Sequence, residues 1–526
     1  MLKKLLKTSF QNKKTLILVL ILAIAAFLRL YRIEDYMTFL GDEGRDVLVV
    51  YNILHGRLTF LGPTASVGGF FLGPIYYYFM TPFLFLFSYS PVGPAIMVAL
   101  FGIATVFLVF LVGEKFFNAK AGLIAAALYA ISPITIAYSR SSWNPNLMPF
   151  FSIAMLFVLY KATDKNNLRL FALCGLLLGI AVQLHYLAVF LGAIIFIYIF
   201  ITSAFNFEKK QILKQIIGVL KKYICVFFGF IIGFSPFLVF EIRHGFSNLR
   251  SIINFIIHSG DTGGSGNFYK IVEDVFFRLF GRLVTKFPPP EQVSLEPYLN
   301  IAVWHFLTLS LAVLSVIFLF IRFYKSIRQD KKNLNKYLLL IIWFFFGILF
   351  FGFYKKSIYD YYLGLLFPLP FLLVGNIFSF SLGGNKFLKI FSAICLTSLF
   401  WINFGGIPFR SEPNRQLAQV EEISRFIFQK TEKKPFNFAL ITGGNSDHAY
   451  RYFFRLWKHD PTVIQNIEND PKRTTVMDQL LVVCEIECEP LGNSLWEVAG
   501  FGRAEITDKW DVSVVHVYKL IHYKGS

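Results

Sequence analysis

The chain has 526 residues, of which 56% are hydrophobic and only 16% are charged, and 63 are phenylalanine. This composition excludes an ordinary soluble globular protein, in which about 25% of residues are charged. The formal net charge of +19 is also found in nucleic-acid-binding proteins. Here, however, the lysines stand in short loops between apolar runs, where orientation in a membrane accounts for them, so no nucleic-acid partner is expected.

Apolar runs of membrane-spanning length recur along most of the chain, and they predict a polytopic membrane protein with about eleven transmembrane helices. Lysines precede the first run, as in a signal peptide, but no small-residue cleavage site follows, so we expect the run to remain as an anchor. The predicted spans are 15–31, 92–112, 120–138, 146–161, 169–185, 187–203, 223–241, 301–321, 337–353, 359–377 and 387–404.

The apolar segment Phe70–Phe87 decides which loops face the cytoplasm. If it does not cross the membrane, every loop rich in lysine and arginine is cytoplasmic, as the positive-inside rule requires. We therefore predict that it lies along or dips into the outer leaflet, where Pro74 and Pro82 suit a broken helix. The segments then placed outside are 41–46, 139–145, 243–300, 354–358 and everything after 405.

From about Gly405 the sequence turns polar and predicts a small extracytoplasmic α/β domain. The predicted domains are therefore a transmembrane domain at 1–404 and the α/β domain at 405–526. Cys484 and Cys488 lack a second ligand pair for zinc, but they can form a disulfide if this domain is extracytoplasmic. The predicted elements of the α/β domain are helices at 412–430 and 447–457 and strands at 437–442, 480–485 and 512–520.

The first outer loop carries the acidic motif, Gly41-Asp42-Glu43-Gly44-Arg45-Asp46. Acids so close to a bilayer are costly, which makes them a functional-site hypothesis. We predict that Asp42 is a general base and that Glu43 and Arg45 hold the site around it. The structural alternatives are a salt bridge between Asp42 and Arg45, and a helix-capping or ion-pair role for Glu43.

Other polar and aromatic residues are placed by the same topology at the outer face, where they suit a substrate that is both a lipid and an anion. A sugar carried on a polyprenyl phosphate is such a substrate. A carboxylate would take the proton of the acceptor hydroxyl, and cations or a divalent metal would stabilise the departing phosphate. The candidate substrate-binding residues are Arg45, Tyr76, Tyr77, Arg140, Asn144, His185, Lys355, Lys356 and Tyr362.

These motifs resemble the GT-C glycosyltransferases, and more closely the protein O-mannosyltransferases and the lipid A aminoarabinose transferases. The resemblance covers about residues 15–380 and rests on the acidic motif, Gly73-Pro74-Ile75-Tyr76-Tyr77, Phe116–Ala121 and Ser132-Pro133. It implies a GT-C-like all-α membrane fold with juxtamembrane helices in the first outer loop. It also implies that Asp42 is the catalytic aspartate and Glu43 its partner acid.

Two positions depart from the family pattern. The aminoarabinose transferases have a lysine where this chain has Leu72-Gly73, and Lys355, Lys356 or Arg45 could replace it as the phosphate contact. Asn144 stands where such enzymes carry a second-loop acid, which weakens the case for a bound metal. No cofactor is certain, and a divalent cation stays open.

The sequence therefore predicts a multi-pass glycosyltransferase of the cell membrane, with its active site at the outer face. It would transfer a hexose or pentose, with inversion, from a polyprenyl-phosphate donor to a lipid, glycan or protein acceptor. The alternative is a transporter or flippase for a lipid-linked substrate. That class is typically built from internal repeats with polar groups at mid-membrane, and the sequence shows neither.

Overall fold

The computed structural model describes residues 2–65, 69–204, 212–258, 267–289, 292, 299–329, 333–354 and 356–523. The chain divides into two compact units. The helical unit comprises Met1–Tyr31, Thr59–Phe79 and Ile96–Glu412, and the sheet unit comprises Arg32–Leu58, Met80–Ala95 and Pro413–Ser526.

Helices make up almost all of the described chain before the sheet. The α-helices are Leu2–Leu30, Ile33–Tyr36, Gly41–Leu54, Ile75–Leu86, Val92–Phe116, Ala119–Ile131, Pro133–Tyr138, Met148–Asp164, Leu168–Leu184, Val189–Ala204, Ile212–Gly233, Ser235–Arg243, Ser247–His258, Phe268–Gly281, Leu299–Gln329, Leu334–Leu349, Pro368–Ser381 and Lys386–Phe404. Short 3₁₀ helices occupy Asn144–Leu147, Tyr186–Ala188, Phe350–Phe353, Asp360–Leu366 and Pro408–Arg410.

Within the described residues, seven helices are long and apolar enough to cross a membrane, or eight if the pair Asp360–Leu366 and Pro368–Ser381, bent by 58°, forms one span. The multi-pass prediction is confirmed, although this number is below the eleven predicted spans.

One predicted span, 120–138, is two helices, because Pro133 has no N–H to continue the first helix and begins the second. Phe70–Phe87 contains a helix of only 12 residues, Ile75–Leu86. At 1.5 Å per residue it is about 18 Å long, too short for a hydrocarbon core of about 30 Å.

Small residues let helices of the helical unit approach one another closely. A Cβ at Gly175 would lie 1.9 Å from the Val226 carbonyl oxygen, and a Cβ at Gly229 would lie 1.9 Å from the Ala172 carbonyl oxygen. The helices Leu168–Leu184 and Ile212–Gly233 therefore pack with their backbones in contact, as small residues permit in membrane bundles.

The sheet unit contains four strands, β1 (Asn437–Ile441), β2 (Gln479–Cys484), β3 (Ala504–Val512) and β4 (Val515–His522), in the order β1-β2-β4-β3. The pair β1 and β2 is parallel, and the other two pairs are antiparallel. Buried side chains of β1, β2 and β4 form the core. The helices Gln416–Lys430, His448–Leu456 and Trp496–Ala499 complete the unit.

The small α/β architecture was predicted, but the strand predicted at 512–520 was wrong at its start. β4 begins at Val515, and the preceding residues form the tight connection to β3, in which Ser513 has a positive φ of 54°. β3 itself was missed because most of its residues are exposed, so it lacks the alternating apolar pattern of a half-buried strand.

Residues that follow the first helix belong to the sheet unit. The Arg415 N–H donates to the Asp35 carbonyl at 2.9 Å, and the Phe39 N–H donates to the Gln416 Oε1 at 3.1 Å. The helix Gly41–Leu54 is thus packed together with chain that follows residue 412. The division into domains at 1–404 and 405–526 stays a prediction from composition. The contacts in the structure instead place residues from both of these segments in the sheet unit.

Candidate active site

The acidic motif forms the first turn of the helix Gly41–Leu54. Leu40, in an extended conformation, precedes the helix and has no polar side chain to cap it. Glu43 compensates, because its Oε2 accepts a hydrogen bond from the Leu40 N–H at 3.0 Å. This is the reciprocal half of a capping box, and carboxylates in the first turn also face the positive end of the helix dipole. The capping role considered for Glu43 is therefore observed.

Glu43 is buried, with 7% of its surface exposed. Burial raises its pKa to about 7, against the opposing effect of the Leu40 hydrogen bond. Asp46 and Asp42 nearby raise the pKa further. Glu43 is thus an acid that exchanges its proton near neutral pH, while its contacts are those of a cap.

Asp42 is the accessible acid of the motif. Its side chain is 55% exposed, and its Oδ1 accepts from the Arg45 guanidinium at 2.8 Å. Arg45 also binds the fully buried Asp46, donating from Nε at 3.0 Å and from the second terminal nitrogen at 2.8 Å. The ion pair of Asp42 with Arg45, considered as the structural alternative, is present, and Asp46 also binds the guanidinium.

Two further residues, Asn445 and Glu485, support the motif and were missed by the sequence analysis. The Asn445 Oδ1 accepts from the Gly41 N–H at 2.8 Å, and the Asn445 Nδ2 donates to the Glu485 carboxylate at 3.1 Å. Asn445 follows β1 and Glu485 follows β2, so both lie at the carboxyl ends of neighbouring parallel strands. Polar residues at such ends are a known signal of binding sites in α/β sheets, but the parallel pairing on which this signal depends is a tertiary feature.

His448, which begins the helix His448–Leu456, stands near the same acids. Its Nδ1 is 2.8 Å from the Ser446 hydroxyl oxygen. Burial lowers the pKa of His448; Asp447 raises it to a smaller extent, and Arg45 lowers it further.

A second group of predicted residues comes together in the helical unit. The Asn144 Nδ2 donates to the Leu184 carbonyl at 2.6 Å, beside His185. The His185 and Tyr362 rings have centroids 5.1 Å apart, and both residues are buried. The His185 Nδ1 accepts a hydrogen bond from the Leu187 N–H at 3.3 Å. These three residues form a polar and aromatic cluster.

Arg140, Tyr76 and Tyr77 are buried as well. The Arg140 guanidinium donates to the carbonyls of Leu28 and Tyr31, both at 2.9 Å, which ties it to the end of the first helix. The Tyr76 hydroxyl is 2.8 Å from the Ser142 hydroxyl. Their substrate-binding roles stay predictions.

Of the two lysines predicted to contact phosphate, Lys356 is half-buried, and Lys355 lies outside the described residues. The same part of the helical unit contains cations that the sequence analysis missed. Arg278 donates from Nε to the Asp360 Oδ1 at 3.1 Å, and Arg282 donates to the Asp360 Oδ2 at 3.0 Å. Arg278 lies on Phe268–Gly281, a helix within a segment that was read only as a loop.

A metal needs several well-placed ligands. In the ranges that the structure describes, no group of three or more histidine, cysteine, aspartate or glutamate side chains is arranged to hold a metal ion. The residues of the acidic motif do not form such a set.

Comparisons with known proteins place this geometry in context. Residues 72–240 match the family model of dolichyl-phosphate-mannose-protein mannosyltransferases. A comparison with curated protein sequences finds no significant match.

Solved structures match over most of the chain. The structure of ArnT from Cupriavidus metallidurans bound to undecaprenyl phosphate is 13% identical, with a TM-score of 0.58, covering 95% of this chain and 97% of that one. The oligosaccharyltransferase AglB from Archaeoglobus fulgidus, in complex with an inhibitory peptide and a dolichol-phosphate, is 14% identical, with a TM-score of 0.52. That match covers 90% of this chain and 69% of AglB. The chain is therefore a multi-pass membrane protein with the GT-C fold.

Proposed function

We propose that this protein is a membrane glycosyltransferase that moves a sugar from a polyprenyl-phosphate donor to an acceptor, with Asp42 as the general base. The observation that carries the proposal is the Asp42 carboxylate, exposed on the first turn of a helix and paired with one arginine. The similarities support the donor class, because the matching family is named for a dolichyl-phosphate sugar and the two solved structures hold lipid phosphates.

In the proposed reaction, the Asp42 carboxylate accepts the proton of the acceptor hydroxyl. The acceptor oxygen forms a bond to the anomeric carbon of the sugar while the bond from that carbon to the phosphate oxygen breaks. Polyprenyl phosphate leaves with the electron pair, and attack from the opposite face inverts the anomeric centre. General base catalysis of this kind contributes about 10²- to 10⁴-fold to the rate.

Arg45 is proposed to bind the donor phosphate. Its contacts with Asp46 fix the guanidinium, and its remaining terminal nitrogen binds Asp42 in the free protein. A phosphate that takes over this nitrogen would release the Asp42 carboxylate for proton transfer. Binding of the donor would thus activate the base. The roles of Tyr76, Tyr77, Arg140, Asn144, His185, Lys355, Lys356 and Tyr362 in holding the donor, and that of Glu43 as partner acid, are part of the proposal.

We place the reaction at the extracytoplasmic face of the cell membrane. The disulfide between Cys484 and Cys488 supports this placement, because disulfides persist in oxidising compartments, and it lies in the same unit as the acidic motif. The charge distribution of the loops supports the same orientation. The donor sugar is proposed to be a hexose or a pentose.

The test is an assay of the purified protein in detergent with a panel of polyprenyl-phosphate-linked hexoses and pentoses, in which released polyprenyl phosphate is measured. We expect release with one donor of the panel, and loss of that release in Asp42→Asn. If labelled donor instead crosses a proteoliposome membrane without cleavage, the protein is the transporter or flippase of the alternative hypothesis. Absence of cleavage with every donor would refute the proposed function.

A further inference from the structure

Hydrogen bonds link the sheet to the first peptide group of the helix that carries Asp42. The Glu485 carboxylate accepts from the Thr442 hydroxyl at 2.6 Å, from the Tyr450 hydroxyl at 2.9 Å and from the Asn445 Nδ2 at 3.1 Å. The Asn445 Oδ1 accepts from the Gly41 N–H at 2.8 Å. One continuous path therefore runs from the end of β2 to the residue before Asp42.

Partners on both sides determine which way the Asn445 amide points: the Gly41 and Ser446 N–H groups donate to its Oδ1, at 2.8 Å and 2.9 Å, and Glu485 accepts from its Nδ2. An ionised carboxylate only accepts hydrogen bonds, so it pairs with the amide nitrogen and leaves the amide oxygen toward Gly41. The Gly41 N–H is one of the amides at a helix start that have no partner within the helix. The disulfide joins the residue before Glu485 to Cys488 and so closes the short loop that carries Glu485.

Close packing fixes the same turn from a second side. The first turn lies against the segment that contains Asn445, since a Cβ built on Gly41 would be 2.0 Å from the Ser446 Oγ. The turn is thus held both by direct contact with Ser446 and by the hydrogen bond to Asn445, so a shift of the turn would disturb both interactions.

We propose that Asn445 and Glu485 are positioning residues, which do not touch substrate but hold the first turn of the helix Gly41–Leu54 so that the Asp42 carboxylate is correctly placed. The effect on the reaction rests on the proposed function. The placement of the turn is a property of the sheet unit and can be tested without any activity. A displacement of about 1 Å in a catalytic group can lower a rate about 100-fold.

The first test is hydrogen exchange of the full-length protein in detergent, read from peptides that cover residues 39–46. Asn445→Ala should speed exchange in these peptides about 5- to 10-fold, the effect of one lost hydrogen bond. Asn493→Ala is the matched control, because the Asn493 Oδ1 also caps a backbone amide in the sheet unit, that of Leu495. Wild-type exchange at 39–46 in Asn445→Ala would overturn the inference, whether or not any donor is cleaved.

The second test exchanges the two groups. Asn445→Asp should speed exchange, because it sets two carboxylates about 3 Å apart. Glu485→Gln should do so because a neutral amide oxygen is a weaker acceptor for the Asn445 Nδ2 than a carboxylate. The double variant restores one amide and one carboxylate and should recover most of the wild-type protection. Glu487→Gln, exposed on the same loop, should change nothing. Failure of the double variant to improve on both single variants would overturn the inference.

The kinetic arm separates this inference from the proposed function. With the donor that the panel identifies, Asn445→Ala should lower kcat about 10- to 100-fold and change KM less than threefold, and the double variant should regain kcat. If Asp42→Asn abolishes cleavage while Asn445→Ala keeps the wild-type kcat, the positioning role is wrong and the proposed function stands. If no donor is cleaved, the proposed function fails, and the exchange measurements decide the positioning role.

Discussion

The buried carboxyl of Glu43 offers a sharp test of the site, through the variant Glu43→Gln. The folded protein raises the pKa of Glu43 from 4.5 to about 7, so the folded state binds this proton more tightly than the unfolded state. The stability that the group contributes is therefore fully present below pH 4.5 and is lost as the pH rises through about 7.

The size of the effect follows from the shift. At about 1.4 kcal/mol per pKa unit, the raised pKa of Glu43 lowers the free energy of unfolding by roughly 3 kcal/mol at pH 9 and roughly 1 kcal/mol at pH 5, relative to a side chain that never ionises. Glutamine has almost the same shape, can still accept from the Leu40 N–H and never ionises. We expect the variant to become more stable relative to the wild type by about 2 kcal/mol between pH 5 and pH 9.

The assay is thermal unfolding of both proteins in detergent across that pH range. A difference in stability between the two proteins that is the same at every pH reflects the hydrogen bonds of the new amide. A difference that changes with pH reflects the ionisation of Glu43. Glu487→Gln, which removes an exposed charge from the same unit, is the control. A difference between Glu43→Gln and wild type that does not change from pH 5 to pH 9 would refute the reasoning.

Two further predictions concern the sheet unit. A Cβ on Gly44 would lie 2.3 Å from the Ala449 backbone nitrogen, so Gly44→Ala should separate the helices Gly41–Leu54 and His448–Leu456 and lower the free energy of unfolding by about 2 kcal/mol or more. Gly56→Ala is the control, because a Cβ on Gly56 meets open space and only the positive φ opposes it. Equal unfolding temperatures for the two variants would contradict the close packing at Gly44. Replacing Cys484 and Cys488 together by serine should speed hydrogen exchange in the loop that carries Glu485 and lower donor cleavage several-fold. Adding a reductant to the wild type should reproduce this effect, and adding it to the serine variant should have no effect. Full activity of the serine variant would show that the disulfide is not needed for donor cleavage.

Much of the membrane architecture could be predicted, because length and hydropathy determine whether a helix can cross lipid. The failures came where local geometry overrides hydropathy. Pro133 divides one predicted span, and the exposed strand β3 has no apolar face to reveal it. The helix Phe268–Gly281 was missed because its segment was assigned to a loop by topology alone.

The site shows the same pattern. The local chemistry of the acidic motif suggested the Asp42–Arg45 ion pair and the capping by Glu43 as structural alternatives to catalytic roles, since each involves residues three apart in sequence, and both contacts are present. The partners Asn445 and Glu485 lie about 400 residues further along the chain, so no local pattern connects them to Gly41. Only the parallel pairing of β1 with β2, a tertiary feature, brings them together.

The most direct test of the account compares Asp42→Asn with Asp35→Asn. Both acids pair with an arginine three residues away and both belong to the sheet unit, so the two variants remove the same charge from similar surroundings. With the donor identified by the panel, Asp42→Asn should bind donor but lower kcat about 100-fold or more, while Asp35→Asn keeps the wild-type rate. Wild-type turnover in Asp42→Asn would contradict the assignment of Asp42 as the base.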